Sequence, residues 1–239
     1  MGNEDTNVDA KKIRHPMKPL VFYHLYIKDQ FFTLWVDEQL NILKLSGLAN
    51  NATIYICITT PAKLKDTVEA YISQFSSFVN ILDIRFTDEP NIYEGSTLKY
   101  LYKHSFGQDV PILYLHSKGS SLVLKDKKHF PNRKFYDWRN LMQYFCIVKY
   151  RDCLNLLEKS DVVGVNWRYF PHLHFSGNFW WARSEYIRTL PDPLDLENFV
   201  RHNRYSMEFW LGFGSPTHHC LHDSKIDHWR KEYPSNLYT

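Results

Sequence analysis

Four apolar runs, each followed by an amphipathic or polar stretch, constrain this chain more than anything else in it. They are PLVFYHLYI (residues 19–27), ATIYICITT (52–60), VNILDIRFT (79–87) and PILYL (111–115). Near-continuous apolar runs of this kind argue for strands covered on both faces. Between them, residues 29–48 carry Phe32, Trp35, Val36, Leu40 and Leu43 at helical spacing and stop at Ser46-Gly47. Residues 62–75 predict a second amphipathic helix, and residues 94–106 a third with Leu98 and Leu101 facing in. This alternation predicts an α/β fold with a mostly parallel central sheet flanked by helices. Ligands of such sheets collect at the carboxyl ends of the strands. Three stretches fall there: Tyr23-His24-Leu25-Tyr26, Thr87-Asp88-Glu89 and His116-Ser117-Lys118.

The second half reads differently. Residues 135–160 predict a long helical region, DVVGVNW (161–167) a short strand, and HFSGNFWWAR (174–183) a strand in which small and aromatic residues alternate. If that last stretch is one strand, neighbouring Trp180 and Trp181 point to opposite faces and one of them enters the core. No internal repeat interrupts the chain, and a shift in composition near residue 125 marks a join inside one domain, residues 18–239, rather than a boundary between two. Residues 1–17 read as a disordered tail.

Twenty-nine Lys and Arg against 26 Asp and Glu leave +3, too small a surplus for a duplex nucleic-acid binder. The charge is uneven: between residues 125 and 139 lie Lys125, Lys127, Lys128, Arg133, Lys134 and Arg139 with only Asp126 and Asp137 against them. Such a run is either a solvated loop or a lid over an anionic ligand. The cysteines (57, 146, 153 and 220) form no CxxC pattern, and Cys146 and Cys153 sit two helical turns apart, too far to bridge. With no secretory signal or membrane-length apolar run, a cytoplasmic location is expected. Aromatic residues reach 16%, which serves either a ring-rich core or the gripping of flat ligand rings.

Several motifs in fixed order resemble one family. YLHSKG (114–119) after a strand, DWR (137–139) opening a long helix, DVVGVNW, HFSGNFWWARSEYI (174–187), Glu-x-Trp at 208–210 and LHDSKIDHW (221–229) are similar to nucleotide-sugar glycosyltransferases and glycosyltransferase-like proteins of the GT-A fold. FYHLYI (22–27) and SGL (46–48) fit the same group, so the resemblance runs from about residue 19 to residue 232. It implies a Rossmann-like single domain, a nucleotide-binding half at 18–124 and a sugar and acceptor half at 125–239. It also implies transfer of a sugar from a nucleotide donor, most often a uridine diphosphate sugar, to a glycan or other acceptor. The alternative is a sugar- or nucleotide-binding protein of the same fold that has lost transfer.

Many GT-A enzymes carry Asp-x-Asp, which holds a divalent metal against the donor pyrophosphate, where this chain has His116-Ser117-Lys118. Lys118 is a compact cation suited to phosphate, Gly119 permits close approach, and Ser120 and Ser121 add donors. His116 can donate to phosphate, ligate a metal or plug a turn. His222 in LHDS resembles the C-terminal histidine that such enzymes place on the metal or pyrophosphate. For a manganese or magnesium ion, His116 and His222 are the candidate ligands, with Asp88 or Asp223 as the carboxylate. Without one, Lys118 supplies the charge. His24, Tyr26 and Asp88 are candidate contacts for base and ribose. Ser176, Gly177 and Asn178 suit sugar hydroxyls, with Trp180 as a stacking face and Trp167 and His174 flanking the pocket. Glu208, among apolar neighbours, is a candidate catalytic base beside Lys118, or else a partner of Arg201 or Arg204 or a helix N-terminal residue. Glu94 reads first as a helix cap and second as a nucleotide contact.

Overall fold

The structure is a computed structural model that describes residues 18–86, 94–118, 133–193 and 206–239. The four apolar runs form β1 (Leu20–Tyr26), β2 (Thr53–Thr60), β3 (Val79–Phe86) and β4 (Pro111–His116). Between them lie α1 (Thr33–Leu45), the short α2 (Leu48–Asn51), α3 (Lys65–Ile72) and α4 (Gly95–Ser105). The second half adds α5 (Arg133–Gln143), a π-helical turn (Tyr144–Val148), α6 (Tyr150–Leu157), β5 (Val162–Gly164), β6 (Trp167–Arg168), β7 (His174–Phe175), β8 (Trp180–Arg183), α7 (Ser184–Ile187) and β9 (His218–Cys220).

Seven strands form one sheet in the order β3-β2-β1-β4-β8-β5-β9, with strands from both sides of residue 125. Pairings β1–β2, β2–β3, β1–β4 and β5–β9 are parallel, and only β8 runs against its neighbours. The expected α/β architecture, mostly parallel and flanked by helices, is therefore what the chain adopts. The chain steps outward from β1 to β2 to β3, then returns to place β4 on the other side of β1. That reversal opens a crevice between the carboxyl ends of β1 and β4, the position where open α/β sheets bind ligands.

Both faces are covered, which is why the strands read as near-continuous apolar runs. Val21, Tyr23, Leu25, Leu113 and Leu115 pack under α1, α3, α5 and α6, while Leu20, Phe22, Ile112 and Tyr114 pack under α4, α7 and the segment around Trp210. Leu98 and Leu101 of α4 are fully buried, each contributing roughly 1.5–3 kcal/mol of apolar burial. Among the described residues, no helix is long and apolar enough to cross a membrane.

Two expectations change. HFSGNFWWAR is two strands in different sheets, because Gly177 (φ 97°) and Asn178 (φ 59°) both take left-handed backbone and break the run between β7 and β8. Trp180 and Trp181 still alternate faces on β8, and both are core residues because that strand lies inside a sheet covered on both faces. The long helical region is also interrupted, at the π-turn, where the Cys146 carbonyl accepts the Trp181 indole N–H at 2.8 Å.

Candidate active site

The register of β1 against β4 places His24 directly beside His116 at the carboxyl edge of the sheet. Pairing continues one residue further, with Ser117 N–H donating to the His24 carbonyl at 3.0 Å and Ser117 Oγ accepting from Tyr26 N–H at 2.9 Å. Lys118 N–H then folds back onto the His116 carbonyl at 2.8 Å, and the chain leaves the sheet at Lys118. His24 is buried, its Nδ1 2.8 Å from Thr97 Oγ1 in the first turn of α4. Tyr26 is half-buried beyond it.

Glu94, immediately before α4, ties the crevice together. It makes no side-chain capping bond. Its Oε2 accepts from Tyr114 Oη–H at 2.8 Å and from Asn178 Nδ2–H at 2.6 Å, and its Oε1 lies 3.2 Å from His116 Nδ1. His116 Nε2 is 2.9 Å from the Gly177 carbonyl, which can only accept, so that nitrogen carries a proton. Burial first, and the Lys118 ammonium second, push the His116 imidazole down to about 4, which disfavours a free imidazolium.

Lys118 is itself buried. Its Nζ sits 4.4 Å over the Trp138 ring, 5.9 Å from the Trp229 ring and 3.9 Å from Glu208 Oε1. Trp138 and Arg139 on α5 hold this residue: Trp138 lies under the ammonium and Arg139 donates to the Lys118 carbonyl at 2.9 Å, while the preceding Asp137 accepts from Tyr233 N–H at 3.3 Å. Glu208 stands on the short helix Ser206–Phe209, whose Phe209 packs against His174 at 5.0 Å. His24, Glu94, His116, Lys118, His174 and Glu208 thus converge around one edge.

Other expected residues lie differently. His222 does not join His116: its ring stacks on Phe145 at 5.2 Å and its Nε2 meets Tyr233 Oη at 2.9 Å. The C-terminal histidine beside the site is His228, stacked on Trp138 at 5.2 Å and 10°. Trp180 offers no stacking face, because Tyr114 covers it at 5.2 Å and its indole N–H is given to Asn178 Oδ1 at 2.8 Å. Asn178 is thereby occupied on both ends of its amide, by Glu94 and Trp180, and positions Glu94 rather than waiting for a hydroxyl. A Cβ on Gly177 would stand 2.3 Å from Met142 Sδ and 2.9 Å from Trp138 Nε1, so protein, not ligand, fills the space beside it. Trp167 is packed between Phe175 and His218, and Ser176 is half-buried with its N–H on the Asn166 carbonyl at 3.0 Å. Asp88, Gly119, Ser120, Ser121, Arg201, Arg204, Lys125, Lys127 and Lys128 of the basic run and the tail at 1–17 lie outside the described residues. Glu94, expected first as a helix cap, instead joins Tyr114, Asn178 and His116; Trp138 and His228 were not singled out by the sequence, although DWR and LHDSKIDHW contain them.

Among the described residues no three His, Cys, Asp or Glu side chains come together to hold a metal ion. His116 has both ring nitrogens engaged, and Asp223 is paired with Arg168 at 2.9 Å. His116 and His222 therefore do not form the expected ligand pair, and Asp88, the other candidate carboxylate, lies outside the described residues. A pocket of about 260 Å³ bounded by Lys18, Asn50, Ser77 and Asn80 lies at the amino ends of β2 and β3, away from this chemistry.

Burial lowers His24 and His228 from 6.5 to about 4. Between those values the unfolded chain binds protons that the folded chain does not, so stability falls as pH drops from 6.5 towards 4. For the fully buried His24 ring this amounts to on the order of 3 kcal/mol. Thermal melts at stepped pH should show the decline over that window, and His24→Gln should flatten part of it.

The sequence profile of a family described as a domain of unknown function (DUF8361) matches residues 22–235. The chain belongs to this family. No curated protein matches the DUF8361 chain. Solved structures similar to it include HddC from Yersinia pseudotuberculosis, 9% identical with TM-score 0.44, over 87% of this chain and 91% of that one. TarS 1–349 from S. aureus is 10% identical with TM-score 0.44, over 89% of this chain and 62% of that one. The glycosyltransferase GlyE from Streptococcus pneumoniae is 9% identical with TM-score 0.32, over 84% of this chain and 42% of that one.

Proposed function

We propose that this DUF8361 chain transfers a sugar from a nucleotide-diphosphate donor, with uridine diphosphate as carrier, to the hydroxyl of a glycan or other acceptor. The observation that carries this reading is the buried Lys118 ammonium, fixed at the carboxyl edge of β4 with a carboxylate, Glu208, 3.9 Å away. In the transfer, the bond from the anomeric carbon to the diphosphate oxygen breaks with its electron pair, and the acceptor oxygen forms the new bond. The departing diphosphate gains negative charge, which a fixed cation offsets without reorganisation. One charge-assisted contact from Lys118 is worth roughly 1.5–3 kcal/mol. The acceptor hydroxyl must lose its proton, and in this reading Glu208 receives it.

A second reading, a binder of nucleotide sugars without transfer, is favoured by one observation: Asn178 and Trp180 are spent on internal contacts. Release of uridine diphosphate from its glucose, galactose and N-acetylglucosamine conjugates, with and without chelator, separates the two. Slow release that survives chelator supports transfer; tight binding with no release supports the binder.

A further inference from the structure

We propose that Arg139 is a positioning residue that sets the Lys118 ammonium in place, acting through the Lys118 carbonyl; its functional part rests on the diphosphate reading above. At Lys118 the chain has left β4, and among the described residues no strand pairs with its carbonyl. Arg139 Nη1 fills that role at 2.9 Å, while the neighbouring residue, Trp138, lies under the ammonium at 4.4 Å. Two successive residues of α5 therefore grip the two ends of one lysine.

Arg139 is 1% exposed and is fixed in turn. Glu38 of α1 takes its Nε at 2.8 Å and its Nη2 at 2.6 Å, Gln143 donates to Glu38 Oε1 at 2.8 Å, and the guanidinium lies 4.6 Å over the Trp35 ring. A buried ion pair of this kind adds little stability over well-packed apolar residues, because desolvation offsets most of the attraction. What it adds here is direction. The planar fork reaches both Glu38 oxygens and the Lys118 carbonyl at once, and a lysine cannot reproduce that geometry. α1 and α5 are thus locked together at the point that aims Lys118.

The test is a double-mutant cycle on uridine diphosphate affinity, measured by titration calorimetry up to millimolar nucleotide, with the acylation rate of Lys118 by acetic anhydride followed by mass spectrometry. Arg139→Lys is expected to weaken binding about tenfold in the parent, typical of residues in one hydrogen-bonded network, and to have no further effect in Lys118→Ala. Lys118 should be acylated faster in Arg139→Lys. Should Arg139→Lys not fold, Glu38→Gln replaces it and should move both readouts in the same direction. Equal weakening in both backgrounds, or none in the parent, overturns the proposal. A parent that binds no nucleotide overturns the diphosphate reading instead; the acylation rate then decides the positioning role, and an unchanged rate ends it.

Discussion

Alanine at position 212 is expected to lower the stability of the fold by about 3 kcal/mol or more, the upper range for an added methyl group in a packed site. The new Cβ would lie 1.9 Å from the Leu173 carbonyl oxygen and 2.7 Å from both its carbonyl carbon and its Cβ. Two of those atoms are backbone, so no side chain can swing aside. Leu173 lies beside His174, and Gly212 closes the turn that follows Glu208, so the displacement reaches the site as well. Gly107→Ala is the control: its Cβ would meet only the His104 carbonyl oxygen, at 3.5 Å, an ordinary contact. Denaturant melts should show a large loss for the first and less than about 1 kcal/mol for the second. Comparable values for both would show that Leu173 yields easily.

Glu94→Ala should be nearly as costly. It strips a partner from Tyr114 Oη, Asn178 Nδ2 and His116 Nδ1 together, all in the crevice. Leaving buried polar groups unpaired costs about 1–3 kcal/mol each, so the melting temperature should fall by roughly 10 °C. Glu94→Gln keeps an acceptor for Tyr114 and should fall by clearly less. A capping glutamate would behave otherwise, with a small loss for alanine and little difference between the two variants.

The sheet edge was legible because its strands are buried on both faces and their apolar runs are continuous. His116 and Lys118 stood out by interrupting one. The placement of Glu94 was not legible. A glutamate before a helix looks the same locally whether it caps or reaches across to Tyr114 and Asn178, twenty and eighty-four residues away. His222 and His228 share one short motif, and only the stacking of Trp138 on His228 separates them. Trp180 looked like a platform because the sequence does not show that β8 lies between β4 and β5 with both faces covered; the two left-handed residues before it are likewise invisible to a hydrophobic pattern.

The most direct measurement is the melting temperature of the parent chain and of Lys118→Ala with excess uridine diphosphate. A fixed cation at the end of β4 predicts a rise of about 5 °C or more in the parent at a hundredfold excess over Kd, most of it lost in Lys118→Ala. An unchanged curve for the parent, with and without manganese, or an equal rise in Lys118→Ala, would contradict it.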